Sequence, residues 1–104
     1  MLKINFEFRK GIFFLRFIGE LSKMTYPQID SEIVNLIATN KFKYIVINTN
    51  NIEKIDLDGL NYITKIYHIT KLNKCNLIIC DKFKIIQKLL NNNIPNIEDE
   101  IEVL

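Results

Sequence analysis

Apolar and polar residues alternate without a break over the first eight positions. Leu2, Ile4, Phe6 and Phe8 fall on one side, and Lys3, Asn5 and Glu7 on the other. This period of two predicts a half-buried strand over residues 2–8. Lys10-Gly11 offers a tight turn, because glycine takes positive φ at little cost. Residues 12–18, IFFLRFI, predict a second strand that is apolar on both faces except at Arg16. The two strands should form an antiparallel hairpin that ends at Gly19.

The period then changes. Thr25 is a good helix N-cap, and Pro27 is tolerated in a first helical turn. Ile29, Ile33, Leu36 and Ile37 follow at helical spacing, so residues 26–39 predict an amphipathic helix closed by Asn40-Lys41. KYIVIN (43–48) has the β-branched, unbroken apolar character of a strand covered on both faces. TNNIEKI (49–55) is expected as a loop. From Asp58 the pattern is helical again, with Leu60, Ile63, Ile66 or Tyr67, and Thr70 on one face. NLIIC (76–80) is another strand covered on both faces. Asp81 is expected to cap a third helix with Phe83, Ile86, Leu89 and Leu90 as its apolar stripe, broken by NNNIPN (91–96). In the tail, Ile97, Ile101 and Leu104 suit a short helix and Ile101 and Val103 a strand. A short helix is expected.

The resulting order, β-β-α-β-α-β-α, predicts an α/β fold. It is a small mixed sheet with an N-terminal antiparallel hairpin, parallel strands joined by right-handed crossovers, and helices packed on it. The 104 residues show no linker or internal repeat, so one domain over 1–104 is expected. A chain of this length buries enough surface to fold without disulfides or a metal.

Composition narrows the functional classes. The net charge is only +2 and the lysines are scattered, so no nucleic-acid-binding stripe is expected. There is no run of about eighteen apolar residues, which argues against a membrane span. The N-terminus lacks the apolar core of a signal peptide, so a cytoplasmic location is expected. Cys75 and Cys80 would lie roughly 16 Å apart along a strand and on opposite faces, beyond disulfide reach. Both are read as small core or edge residues. His68 is the only histidine. It has no partner for a metal site or a triad and is read as a helix-surface residue. No cofactor is expected.

Chemistry concentrates in IDLDGL (55–60). In open α/β sheets the functional crevice lies beyond the C-terminal ends of the parallel strands. Two segments meet there, residues 20–25 (ELSKMT) and the approach to the second helix. Asp56 and Asp58 at a helix start fit a capping and dipole-stabilising role. They would be held as anions there, a poor setting for a general acid. No nucleophile motif or Gly-rich phosphate loop accompanies them, so an enzyme is not expected. A phospho-receiver would need an acidic pair after the first strand to hold Mg²⁺. This chain has Arg9-Lys10-Gly11 there.

The ordered set of motifs resembles the STAS domain family of anti-sigma factor antagonists, over nearly the whole chain. FLRFIGEL (14–21) resembles the family's second strand and its Gly-Glu/Asp-Leu ending. Thr25 is similar to the family's threonine before the first helix. YIVINTNNIEKIDLDGL (44–60) resembles the signature strand and loop, which ordinarily ends Asp-Ser-Ser-Gly-Leu or Asp-Ser-Thr-Gly-Leu. CNLIICDKFKIIQKLL (75–90) resembles the next strand and helix. The resemblance implies a regulatory protein that binds an anti-sigma factor, itself a serine kinase, and releases it when phosphorylated. In this partner switch, added charge at a helix N-terminus controls docking.

Carried over by position, Asp56, Leu57, Gly59 and Leu60 form the switch motif, and Asp58 occupies the phospho-acceptor position. A carboxylate does not take phosphate from a serine kinase in a stable form. It carries about one negative charge at pH 7, against about two for phosphoserine. Three readings stay open. The chain is an antagonist-like binder with Asp58 as a constitutive phospho-mimic; or it is a STAS subunit of a transporter or sensory complex without a phospho-switch; or Asp58 is only a helix-start residue. The resemblance implies a partner surface of Ser22, Lys23, Met24, Thr25 and Asn61 beside Asp58, with Leu57 and Leu60 at its edge.

Overall fold

The computed structural model describes residues 1–90 and 94–104. Five strands form one sheet in the order β1-β2-β3-β4-β5. β1 (Leu2–Arg9) and β2 (Ile12–Leu21) make the expected antiparallel hairpin. Lys10 (φ 53°) and Gly11 (φ 80°) form its turn. Two successive positive φ values mark the two-residue turn whose twist matches that of paired strands. β3 (Tyr44–Ile55) lies parallel to β2, β4 (Asn76–Cys80) parallel to β3, and β5 (Asn96–Ile97) parallel to β4. The helices α1 (Pro27–Thr39), α2 (Leu57–Leu72) and α3 (Ile85–Leu90) supply the crossovers. This is the mixed α/β sheet with packed helices that the hydrophobic pattern predicts.

All three helices cover one face. Phe13, Leu15 and Phe17 of β2, Ile45 and Ile47 of β3, and Leu77 and Ile79 of β4 form the core with Ile33, Ile37, Tyr62, Ile63, Ile66 and Ile86 of the helices. The alternate residues Phe14, Val46 and Cys80 point to the other face. Among the described residues no long helix lies there. Ile97 and Val103 from the C-terminal segment pack against them. This explains why the central strands are apolar on both sides although helices flank only one. Both cysteines are free and buried, and His68 is exposed on α2.

Several boundaries differ from the sequence expectation. Residues 49–55 are not a loop; they continue β3 beside the end of β2, with Asn51 opposite Ile18 and Ile55 opposite Leu21. β2 likewise runs through Gly19 (φ 100°) to Leu21 instead of stopping there. The register shifts near Arg16 and Gly19 mark irregularities in this ladder. Backbone pairing holds the extension, and polar side chains do not oppose it where they face solvent. Thr25 does not cap α1. Tyr26 takes that position with helical dihedrals and no side-chain cap bond.

The third helix also departs from its expected stripe. Among the described residues of that stripe only Ile86 is buried, whereas Phe83 and Leu89 are exposed. A six-residue helix presents too little surface to bury a full stripe. Asp81 is buried and its Oδ2 accepts from Ile86 N at 2.6 Å, so it anchors the helix from four residues before its start. The Leu90 side chain and the expected break at 91–93 lie outside the described residues. The tail contains both the short strand β5 and a 3-10 turn, Glu100–Val103, closed by a reciprocal capping box between Asp99 and Glu102.

Arg16, the lone charge in an apolar strand, faces this C-terminal segment. Its Nε donates to Glu100 Oε2 at 2.8 Å and its Nη2 to Glu100 Oε1 at 2.7 Å. Nη2 also reaches Glu7 Oε1 at 2.8 Å, and Nη1 reaches Asn5 Oδ1 at 2.8 Å. Asn48 Nδ2 donates to Glu100 Oε2 at 2.6 Å. The paired guanidinium holds the Glu100 carboxyl below the usual range. This forked, charge-assisted geometry clamps the tail to the sheet.

Candidate functional site

The C-terminal ends of β2 and β3 lie side by side and carry the two segments expected to meet. Beyond Leu21 the chain turns sharply. Thr25 Oγ1 accepts from Ser22 N at 2.9 Å and donates to Glu20 O at 2.9 Å. Ser22 Oγ donates to Glu20 Oε2 at 2.8 Å and accepts from Met24 N at 3.2 Å. Ser22 and Thr25 are therefore buried inside the turn. Their bonds push the intervening Lys23 and Met24 outward, and Met24 is 78% exposed.

Asp56 is the helix cap. Its Oδ1 accepts from Gly59 N at 2.7 Å, satisfying one of the free donors of the first turn of α2. Its Oδ2 accepts from Lys23 N at 3.1 Å. The Gly59 and Lys23 N–H donors hold the Asp56 carboxyl below the ordinary carboxylate range. One side chain thus starts the helix and fastens the β2 turn to it.

Gly59 is required by space. A Cβ there would overlap the carbonyl oxygen of Leu21 and stand 2.8 Å from its carbonyl carbon. The start of α2 can rest against the end of β2 only because this side chain is missing. Leu60 is half-buried and packs against the core, and its N–H donates to Asp56 O at 3.0 Å. Leu57, 72% exposed, and Asp58 stand on the open side of the first turn, and Asn61 is exposed one turn on.

The face that results has a buried frame and an exposed rim. Gly59, Ser22 and Thr25 are the buried frame, and Asp56, itself exposed, ties it together. Lys23, Met24, Leu57, Asp58 and Asn61 are presented to solvent. An open depression of about 610 Å³ adjoins it, lined by Glu20, Met24, Glu53, Lys54 and Asp56 among others. Glu53 and Lys54 escaped sequence reasoning because their segment looked like a loop. Its residues, TNNIEKI, show no apolar alternation, so the sequence carried no strand signal there.

A family model for the STAS domain matches residues 3–101. The chain belongs to the STAS domain family. Its sequence is 23% identical over 108 residues to the anti-sigma F factor antagonist of Paenibacillus polymyxa, covering 99% of this chain and 92% of that one. Among solved structures, the STAS chain resembles the anti-sigma factor antagonist SpoIIAA in its unphosphorylated form. The TM-score is 0.79 at 14% identity, over 99% of this chain and 93% of the other. It also resembles an anti-sigma factor antagonist from Mycobacterium paratuberculosis, with TM-score 0.77 at 17% identity, over 98% and 90%. Among the described residues of this STAS domain, no helix is long and apolar enough to cross a membrane.

Proposed function

We propose that this STAS domain is a regulatory protein-binding module of the anti-sigma factor antagonist kind. It acts without chemistry of its own. Its partner is an anti-sigma factor that is also a serine kinase, and its docking face is the rim of Lys23, Met24, Leu57, Asp58 and Asn61. The observation that carries this reading is the double use of Asp56. By bonding both Gly59 N and Lys23 N it joins two exposed segments into one surface. Two exposed apolar side chains, Met24 and Leu57, flank a carboxylate on that surface. Apolar anchors beside charged rim groups suit protein docking. An acid held as an anion by N–H donors, as Asp56 is, makes a poor proton donor.

Asp58 occupies the phospho-acceptor position and supplies a permanent negative charge at the helix N-terminus. On this reading it imitates the phosphorylated, low-affinity state in part. The test is a paired pull-down from native extract, with wild type and Asp58→Ser as baits and mass-spectrometric identification. The serine form should capture an ATP-binding anti-sigma kinase and the wild type much less of it. Equal capture by both forms would show that charge at position 58 does not set binding.

A further inference from the structure

The free edge of the sheet carries a second feature. β1 is an edge strand of eight residues, and among the described residues it pairs only with β2. Edge strands are ordinarily blunted by shortness, charged side chains, proline or bulges, and β1 carries only the charges, Lys3, Glu7 and Arg9. β1 has no proline, and its register with β2 is unbroken from Leu2 to Arg9. Its apolar row is incompletely covered. Leu2, Ile4 and Phe6 are only partly buried against the core, and Phe8 is 62% exposed.

The hairpin turn decides which backbone groups are free. In a two-residue turn the flanking residues, here Arg9 and Ile12, form a hydrogen-bonded pair. The odd-numbered residues of β1 therefore face β2. The Met1 carbonyl agrees, since it accepts from Glu20 N at 3.1 Å. The N–H and C=O groups of Leu2, Ile4, Phe6 and Phe8 consequently point outward.

We propose that a second copy of this chain adds its own β1 antiparallel to this edge, with Asn5 on the two-fold axis. The sequence is self-complementary in that register. Leu2 stands opposite Phe8 of the other copy, and Ile4 opposite Phe6, in hydrogen-bonded pairs that use the free backbone groups. Lys3 stands opposite Glu7, twice by symmetry, in the closer non-hydrogen-bonded pairs. Glu7 spends Oε1 on Arg16 and keeps its second oxygen for Lys3. Sliding by two residues one way sets Lys3 opposite Arg9, a repulsive pair; the other way sets it opposite Asn5. A slip by one would place apolar residues against polar ones on both faces. Charge and apolar pairing thus select one register and one occupant. A perpendicular two-fold keeps both helix layers on the same side and covers Phe8 with Leu2 of the other copy. None of these residues belongs to the site above, so the dimer does not rest on the reading of that site.

Two single-cysteine variants test the register. Cys75 and Cys80 are buried and do not compete. Asn5→Cys places two thiols directly opposite, within the Cα separation a disulfide needs. Lys3→Cys places them about 14 Å apart along the strands. Mild oxidation should give disulfide-linked dimer from Asn5→Cys and monomer from Lys3→Cys. Wild type should self-associate in sedimentation velocity, and Lys3→Glu should weaken that association about tenfold, by making both charge pairs repulsive. A folded Asn5→Cys that stays monomeric, equal cross-linking of both variants, or a Lys3→Glu protein that associates like wild type would each overturn the proposal. If Asn5→Cys does not fold, the Lys3→Glu comparison decides it.

Discussion

Asp56 accepts a hydrogen bond from the backbone N–H of Lys23, a residue 33 positions earlier in the chain, at 3.1 Å. The same carboxylate caps α2 through Gly59. A local helix-start interaction therefore doubles as a tertiary tie, and both depend on one negative charge.

That dependence has a pH signature. The folded protein holds the Asp56 carboxyl below its unfolded value, so its stabilisation is present above the unfolded pKa, near 4. It is lost as pH falls through the folded pKa, because the unfolded chain takes up the proton more readily. Asp56→Asn should melt below wild type at pH 7, and the gap should narrow steadily below about pH 4. Melting curves by circular dichroism from pH 7 to pH 3 check this; a gap that widens with acid would contradict it.

Gly59→Ala should destabilise, against the ordinary trend for helices. Alanine gains about 1 kcal/mol over glycine in a helix interior. Here the added methyl meets the backbone of Leu21, which cannot move without disturbing β2. Overpacking of this kind costs about 1–3 kcal/mol. A net loss of up to about 2 kcal/mol is expected in urea unfolding, with the m-value unchanged.

The clamp between Arg16 and Glu100 should control access to the second face of the sheet. Glu100→Gln leaves the guanidinium with weaker partners and should cost about 1–2 kcal/mol. Burial pushes the Cys80 thiol up to about 11, and the same C-terminal segment lies over it, with Cys80 Sγ 3.6 Å from Glu98 O. Alkylation of Cys80 should therefore quicken in Glu100→Gln while that of Cys75 stays unchanged. Peptide mapping after timed iodoacetamide treatment distinguishes the two thiols.

Met24→Asp and Leu57→Asp should separate binding from folding. Both side chains are more than two-thirds exposed, so stability should stay within about 0.5 kcal/mol of wild type. Introduced into Asp58→Ser, either change should abolish capture of the kinase. Thr25→Val should instead lower both, because its hydroxyl holds the turn together.

Much of the fold was legible along the chain. The alternation at 2–8, the apolar runs at 43–48 and 76–80, and the helical spacing from Ile29 to Ile37 and from Leu60 to Thr70 each announced an element. The pattern of motifs also pointed to the STAS domain family. These signals are local, set by the period at which side chains meet one buried face.

What the tertiary structure decided is what rests on contacts between distant segments. Residues 49–55 are polar and carry no strand signature, and only the neighbouring end of β2 draws them into the sheet. Arg16 looks misplaced until Glu100 arrives from the far end of the chain. Asp56 and Asp58 are interchangeable as sequence caps. The turn at Lys23 separates them, giving Asp56 a second N–H donor beside that of Gly59. Periodicity states which face a side chain turns inward; it does not state which backbone donor will be waiting there.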